Sequence, residues 1–318
     1  MRNAFIQYIT QQAEVDPSLF LIVGDVGFSV VEPFKDRYQD RFINAGIAEQ
    51  NMIGMAAGLA MAGKNVYVYS IIPFITMRCF EQIRNNISYQ KLPVKLVGVG
   101  GGFSYATWGL THYALEDVTL MRVLPDMTII APGSKYELAS LMSSINALPG
   151  PVYIRIGNNE ELVTYPAQSS VMLGKAIEII PHENTCIIAS GNAVDLAWQV
   201  QQALQDYGIS VGLVSMPTIK PLDIPFLTNR PWQAIFTIEE HMINGGFGES
   251  IAHVLCAPKS NSVTFHAFGI NDYYLHEIGS RAYLKEQVGL ASNTIAQKIM
   301  SLVGINNNKS SISTSCSL

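Results

Sequence analysis

Three short stretches carry ionisable groups in settings where they could do chemistry. In "FINAGIAEQNMIGMAAGLAMAGKNVYVYS" an acid, Glu49, stands alone: ten of the nineteen residues from Ala45 to Gly63 are Gly or Ala. Small side chains let a ligand or a second backbone come close, and an acid held there needs a partner for its charge. In "GVGGGFSYATWGLTHYALED" a glycine-rich loop presents His112. A histidine on a loop above a sheet suits proton transfer or orientation of a ligand, while an isolated one also serves structure alone. The glycines of this loop do not make G-x-G-x-x-G, because position 103 is Phe, so a dinucleotide fingerprint is excluded. In "TIEEHMINGGFGES" His241 follows two acids. It reads either as a ligand or acid–base group or, preferably, as part of a turn that packs one domain on another.

The elements around these stretches read as alternating strands and helices. Apolar runs at 20–25, 65–70, 94–98, 127–131 and 152–156 are continuous in Val, Ile and Leu, the pattern of parallel strands covered on both faces. Helical patterns fall between them at 5–13, 47–62, 80–89 and 135–146. A second series follows, with strands at 185–189, 211–216, 234–239 and 263–268 and helices near 194–206, 248–255 and 294–302. The spacing predicts an α/β protein with two parallel-sheet domains, at 1–157 and 171–303. Residues 158–170 form a polar linker, and 304–318 form a low-complexity tail expected to be disordered. "GDVGFS" directly follows the first strand, where α/β proteins bind ligands. Asp25 there is either a magnesium–diphosphate ligand or part of a tight turn, and no second oxygen ligand follows at short range.

Composition narrows the function classes. The net charge of −5 without a Lys/Arg cluster argues against nucleic acid and against an anionic membrane surface. No apolar run reaches the roughly 18 residues of a membrane span. Residues 1–16 include Glu14 and Asp16 and lack a long apolar core, so no signal peptide is expected. Cys79, Cys186, Cys256 and Cys316 form no CxxC pair, which suits a reducing compartment and gives no structural zinc site. A cytoplasmic protein is expected.

With "FINAGIAEQNMIGMAAGLAMAGKNVYVYS", "GLTHYALEDVTLMRVLPDMTIIAPGS", "VSMPTIKPLD" and "EEHMINGGFGES" in this order, the chain resembles the transketolase family of thiamine-diphosphate enzymes over roughly residues 1–303. It is similar to their carboxyl-terminal half, a pyrimidine-binding domain followed by the transketolase C-terminal domain. The amino-terminal half, which holds the diphosphate through magnesium and a Gly-Asp-Gly…Asn motif, has no counterpart here. The resemblance therefore implies one subunit of a split enzyme. The partner would be a diphosphate-binding subunit carrying the Mg2+, the assembly an α2β2 heterotetramer, and the substrate a sugar or sugar phosphate.

The resemblance implies that Glu49 hydrogen-bonds a ring nitrogen of the cofactor's aminopyrimidine. A carboxyl sheltered from water can share a proton with such a ring, favouring the imino tautomer that deprotonates the thiazolium carbon. The ylid so formed attacks a ketone and stabilises the carbanion left after carbon–carbon cleavage. Phe74 matches the aromatic that stacks on the pyrimidine, with Phe80 flanking it and Asp25 and Ile47 close to the cofactor. His112 matches the histidine facing the reacting carbon. Arg2, Ser29 and Arg155 match positions that grip a sugar phosphate, for which guanidinium forks and a hydroxyl supply matched donors. Arg78 is either a substrate contact or a helix surface charge.

Two departures stand out. Trp108 occupies the place of an aspartate four residues before the loop histidine, and a second histidine earlier in the loop is replaced by Gly100 and its neighbours. Both lie among groups that hold the donor, so the ketol-transfer machinery is expected intact while the substrate differs. The alternatives are a decarboxylating enzyme, like deoxyxylulose-phosphate synthase or the β subunit of a 2-oxoacid dehydrogenase, or a non-catalytic assembly subunit. The C-terminal domain, 171–303, is expected to serve packing.

Overall fold

The computed structural model describes residues 1–157, 161–166, 169–256 and 263–304. The tail expected to be disordered thus lies, from residue 305 onward, outside the described residues, as do 158–160 and 167–168 of the expected linker.

Six strands of the first half, β1 (Leu19–Val23), β2 (Phe42–Asn44), β3 (Asn65–Ile71), β4 (Val94–Val99), β5 (Thr128–Ile130) and β6 (Val152–Ile156), pair in parallel. The order β5-β6-β4-β3-β1-β2 runs out in one direction from β1 to β2 and returns across β1 to β3. The carboxyl ends of β1 and β3 therefore flank a topological switch point, where the helices leaving the sheet diverge and open a crevice. The apolar runs behave as their composition requires. Leu21, Val68, Leu96 and Ile154 are all buried, between helices on both faces. Burying one such side chain contributes roughly 1.5–3 kcal/mol.

The second sheet has the order β12-β11-β8-β9-β7, from β7 (Ile177–Ile180), β8 (Thr185–Ala189), β9 (Gly212–Ser215), β11 (Ala234–Met242) and β12 (Thr264–Ile270). It is parallel apart from β7 on β9. One short strand of this half, β10 (Thr218–Lys220), leaves its own sheet and joins β5 as an antiparallel edge of the first. The two units are thus bonded through backbone. Three of these strands, β2, β7 and β10, are additions to those expected from the sequence. The helical pattern expected at 80–89 opens as a single α-turn, Phe80–Gln82, and continues as a π-helix, Ile83–Ser88.

Candidate active site

The crevice at the switch point is built from four segments. Gly24 follows β1, the helix Glu49–Met61 follows β2, the short helix Ile72–Thr76 follows β3, and the loop after β4 bears His112. Glu49 is the first residue of its helix, where the partial positive end of the helix favours an acid. Its side chain is only 2% exposed. A Cβ at position 24 would stand 3.3 Å from Glu49 Cγ and 3.4 Å from Ser70 Oγ, a tight fit that would press on the acid by a few tenths of an ångström. Ser70 Oγ is buried without a hydrogen-bond partner among the described residues.

The partner of Glu49 is Arg78. Its Nη1 donates to Glu49 Oε2 at 2.6 Å, while its side chain remains 43% exposed. The same guanidinium lies 4.6 Å from the centre of the Phe74 ring, and Gln50 Nε2 donates to the Arg78 carbonyl. Arg78 thus bridges the acid and the aromatic from a half-exposed position.

On its other side Phe74 meets the edge of His112, with ring centres 5.2 Å apart. Trp108 and Tyr105 complete an aromatic collar around that imidazole, at 5.0 and 6.3 Å. Thr111 Oγ1 lies 3.0 Å from His112 Nδ1. Burial pushes the His112 pKa below the ordinary histidine value, so the ring is neutral at pH 7. Trp108 is 67% exposed and faces outward from the crevice rim.

The remaining predicted residues scatter. Asp25 is exposed and forms a clasp between strand ends: its N–H donates to Asn44 Oδ1 at 3.1 Å, and its Oδ1 accepts from Asn44 Nδ2 at 3.0 Å. Both Asp25 (φ +53°) and Ser29 (φ +62°) adopt the left-handed backbone that non-glycine residues rarely hold, which places local strain in the loop after β1. Ile47 is 80% exposed, and Phe80 packs on the hydrophobic core beside the crevice.

Of the three residues matched to a phosphate, Arg2 and Ser29 line different cavities and Arg155 is buried. Arg2 borders a small cavity of about 40 Å³ with Ser104 and Tyr105, whereas Ser29 borders a separate groove of about 430 Å³ with Asn3 and Arg37. Arg155 corrects the expectation most clearly, because it is buried at the junction of the two units. Its Nε donates to Asp117 Oδ2 at 2.8 Å, Nη1 to Asn192 Oδ1 at 2.9 Å and Nη2 to the Ala114 carbonyl at 2.8 Å. A guanidinium so engaged is not presented to a ligand. The residues that sequence reasoning missed are its partner Asp117, the Asn44 clasp and Gln50. All three lie within the quoted motifs, Asn44 and Gln50 beside Glu49 and Asp117 after the His112 loop, but their types alone do not name the partners they take.

His241 is part of the junction, the second of the two roles its motif allows. It is buried, its Nε2 accepts the Val118 N–H at 3.1 Å, and Nδ1 lies 2.7 Å from the Met242 carbonyl. This network assigns the proton to Nδ1 of a neutral ring. Burial drives its pKa down to about 4. Between pH 6.5 and about 4 the unfolded chain takes up a proton that the folded ring refuses. The stability present above pH 6.5 is therefore lost progressively as pH falls to about 4, by on the order of 3 kcal/mol. Denaturation midpoints of wild type and His241→Asn, followed from pH 7 to 4, should converge; parallel curves would refute this assignment.

Among the described residues, no three His, Cys, Asp or Glu side chains gather as a metal site, and no helix is long and apolar enough to cross a membrane. Comparison with known proteins gives a consistent picture. Residues 1–160 match the family model of the transketolase pyrimidine-binding domain, and 174–295 match that of the transketolase C-terminal domain. A protein of Methanocaldococcus jannaschii named as a transketolase C-terminal section is 34% identical over 303 residues, covering 94% of this chain and 95% of its own. One of the subunits of the apulose-4-phosphate transketolase of Phocaeicola vulgatus is 31% identical, covering 85% and 87%. A solved split-gene transketolase, described as an inactive β4 tetramer, superposes with a TM-score of 0.83 at 29% identity, covering 96% and 98%.

Proposed function

The chain belongs to the transketolase family, and on that premise we propose that it is the pyrimidine-binding subunit of a split transketolase. With a diphosphate-binding partner it transfers a two-carbon ketol unit between sugars or sugar phosphates, Glu49 acting on the aminopyrimidine of thiamine diphosphate. The observation that carries this reading is the geometry of Glu49: a carboxylate 2% exposed, in a niche opened by Gly24, whose ion-pair partner is a half-exposed arginine lying on Phe74.

These residues fit the cofactor's ring. Glu49 supplies an acceptor or proton for a ring nitrogen, Phe74 an aromatic face, and the absent side chain at Gly24 the space. Bound there, thiamine diphosphate would supply the carbanion stabilisation for carbon–carbon cleavage that no side chain provides. Arg78 neutralises Glu49 in this structure, and a bound ring would compete with it for the carboxylate. His112, neutral and at the crevice mouth, accepts or donates the proton of a donor hydroxyl. The diphosphate and its Mg2+ fall to the partner subunit.

The face of the helix Glu49–Met61 that carries Gly54 and Gly58 is open, since a Cβ at either glycine would meet nothing within 4 Å, and Met61 beside it is 72% exposed. Such a face suits close approach by a second subunit. The inactive β4 tetramer of a relative agrees with a requirement for both subunit types and supports an α2β2 enzyme. Trp108 in place of a donor-gripping acid supports a donor other than the usual pentose phosphates. The relatives named for apulose-4-phosphate and 6-deoxy-6-sulfo-D-fructose document such variety.

The test is to reconstitute the chain with its partner, thiamine diphosphate and Mg2+, and to compare ketose phosphates with pyruvate as donors. Cleavage of a ketose supports ketol transfer; decarboxylation of pyruvate alone would replace it with the synthase-like alternative. The niche has its own test. Gly24→Ala should weaken thiamine diphosphate binding about tenfold, equivalent to roughly 1.4 kcal/mol, because the new Cβ presses on Glu49. Calorimetric titration of the pair reads it, and unchanged affinity would mean that Gly24 does not border the cofactor.

A further inference from the structure

The strand motif "EEHM" has no part in the crevice, yet its side chains reach across the junction to the loop that carries His112. Glu240 is buried. Its Oε1 accepts the Phe103 N–H at 2.7 Å, and Arg281 closes on both oxygens, Nε at 3.1 Å to Oε1 and Nη2 at 2.7 Å to Oε2. The adjoining Gly102 has φ +62°, and a Cβ there would stand 2.5 Å from Oε1, so this foot of the loop is shaped around the carboxylate.

The other foot is held by the same strand. The Met242 N–H donates to the Leu115 carbonyl at 2.9 Å, and His241 receives the Val118 N–H. Between the feet, Gly102 and Ala114 exchange backbone hydrogen bonds of 3.1 Å in both directions. Residues 102–114 are thereby closed into a ring that carries Tyr105, Trp108 and His112. The Tyr113 hydroxyl donates to the Glu277 carbonyl at 2.9 Å, a further grip from the second unit.

We propose that Glu240, braced by Arg281, is a positioning residue: it fixes the foot of the 102–114 loop and thereby the place of His112 against Phe74. The proposal rests on the functional reading above and gives the C-terminal domain a part in the reaction beyond packing. A buried, charge-assisted hydrogen bond to a backbone N–H is short and directional, and it loses nothing to competing water. Among the described residues the Glu240 side chain touches neither Glu49 nor Phe74, and its hydrogen bond to Phe103 places its effect on the loop.

Two double variants of the full chain, reconstituted with the partner, separate the acceptor from the ion pair. Glu240→Gln/Arg281→Met removes both charges and keeps an acceptor for Phe103; Glu240→Leu/Arg281→Met removes the acceptor as well. The leucine variant should exchange the amides of 102–114 at least about tenfold faster and lose roughly 10²-fold in kcat, the cost of an ångström of misplacement, with thiamine diphosphate affinity unchanged. The glutamine variant should remain near wild type in both respects. Wild-type exchange and kcat in the leucine variant, or equal losses in both variants, overturn the proposal. Should the leucine variant fail to fold, Glu240→Met/Arg281→Met, closer in shape to glutamate and equally without an acceptor for Phe103, must raise exchange within 102–114, and normal exchange there overturns it. A wild-type pair that transfers no ketol unit defeats the functional reading, and the hydrogen-exchange comparison still decides the clamp.

Discussion

Glu49→Gln should lower ketol transfer by the reconstituted enzyme roughly 10²–10⁴-fold, the range for loss of a positioned acid–base group, while leaving the fold intact. The amide occupies the same volume beside Gly24 and keeps an oxygen for Arg78 Nη1, so the niche does not collapse. What it lacks is the proton exchange with the ring that the reading requires. Truncation to Ala would be a poorer experiment, since it also empties a buried site and leaves Arg78 without its ion-pair partner. The measurement is the initial rate at saturating cofactor and Mg2+, with near-ultraviolet circular dichroism to establish folding. Wild-type rates in a folded Gln variant would remove Glu49 from the mechanism. A loss recovered fully by more thiamine diphosphate would make it a binding residue only.

The sequence was most informative where one physical requirement dominates. Strands such as β3 and β4, buried on both faces, are legible as unbroken apolar runs because nothing else tolerates that position. Strand β10 is not legible, since Thr218–Lys220 is framed by prolines and finds its partner β5 some ninety residues earlier in the chain. Strand β2 is three residues long, too short for any periodicity. In the crevice, Glu49, Phe74 and His112 were visible as motifs, and the structure brings all three to one switch point. The pairing of Arg78 was not, because an arginine at this spacing serves a ligand, a surface or an internal acid equally well, and only the position of the Glu49 niche decides among them. Arg155 presents the same ambiguity with the opposite outcome: its type suits phosphate, and burial beside Asp117 assigns it to the junction.

That assignment gives the Asp117–Arg155 pair a large part in stability. Asp117→Ala should destabilise the folded chain by about 3–5 kcal/mol, the usual cost of stranding one half of a buried ion pair. Asp117 is fully buried and Arg155 nearly so; Asp117 also accepts the Tyr153 hydroxyl at 2.7 Å, so its removal leaves the phenol without this acceptor and the guanidinium without its paired carboxylate. Removing both charges with Asp117→Leu/Arg155→Met should recover much of the loss, because no uncompensated charge then remains. Urea denaturation of the three proteins gives the comparison. The same set tests the phosphate reading of Arg155. If that guanidinium gripped a sugar phosphate, the double variant would raise KM for phosphorylated donors selectively, with unphosphorylated ones unaffected. The junction geometry instead predicts equal changes for both donor types, arising from the shared loop and domain contact, and a selective KM effect would return Arg155 to the substrate site.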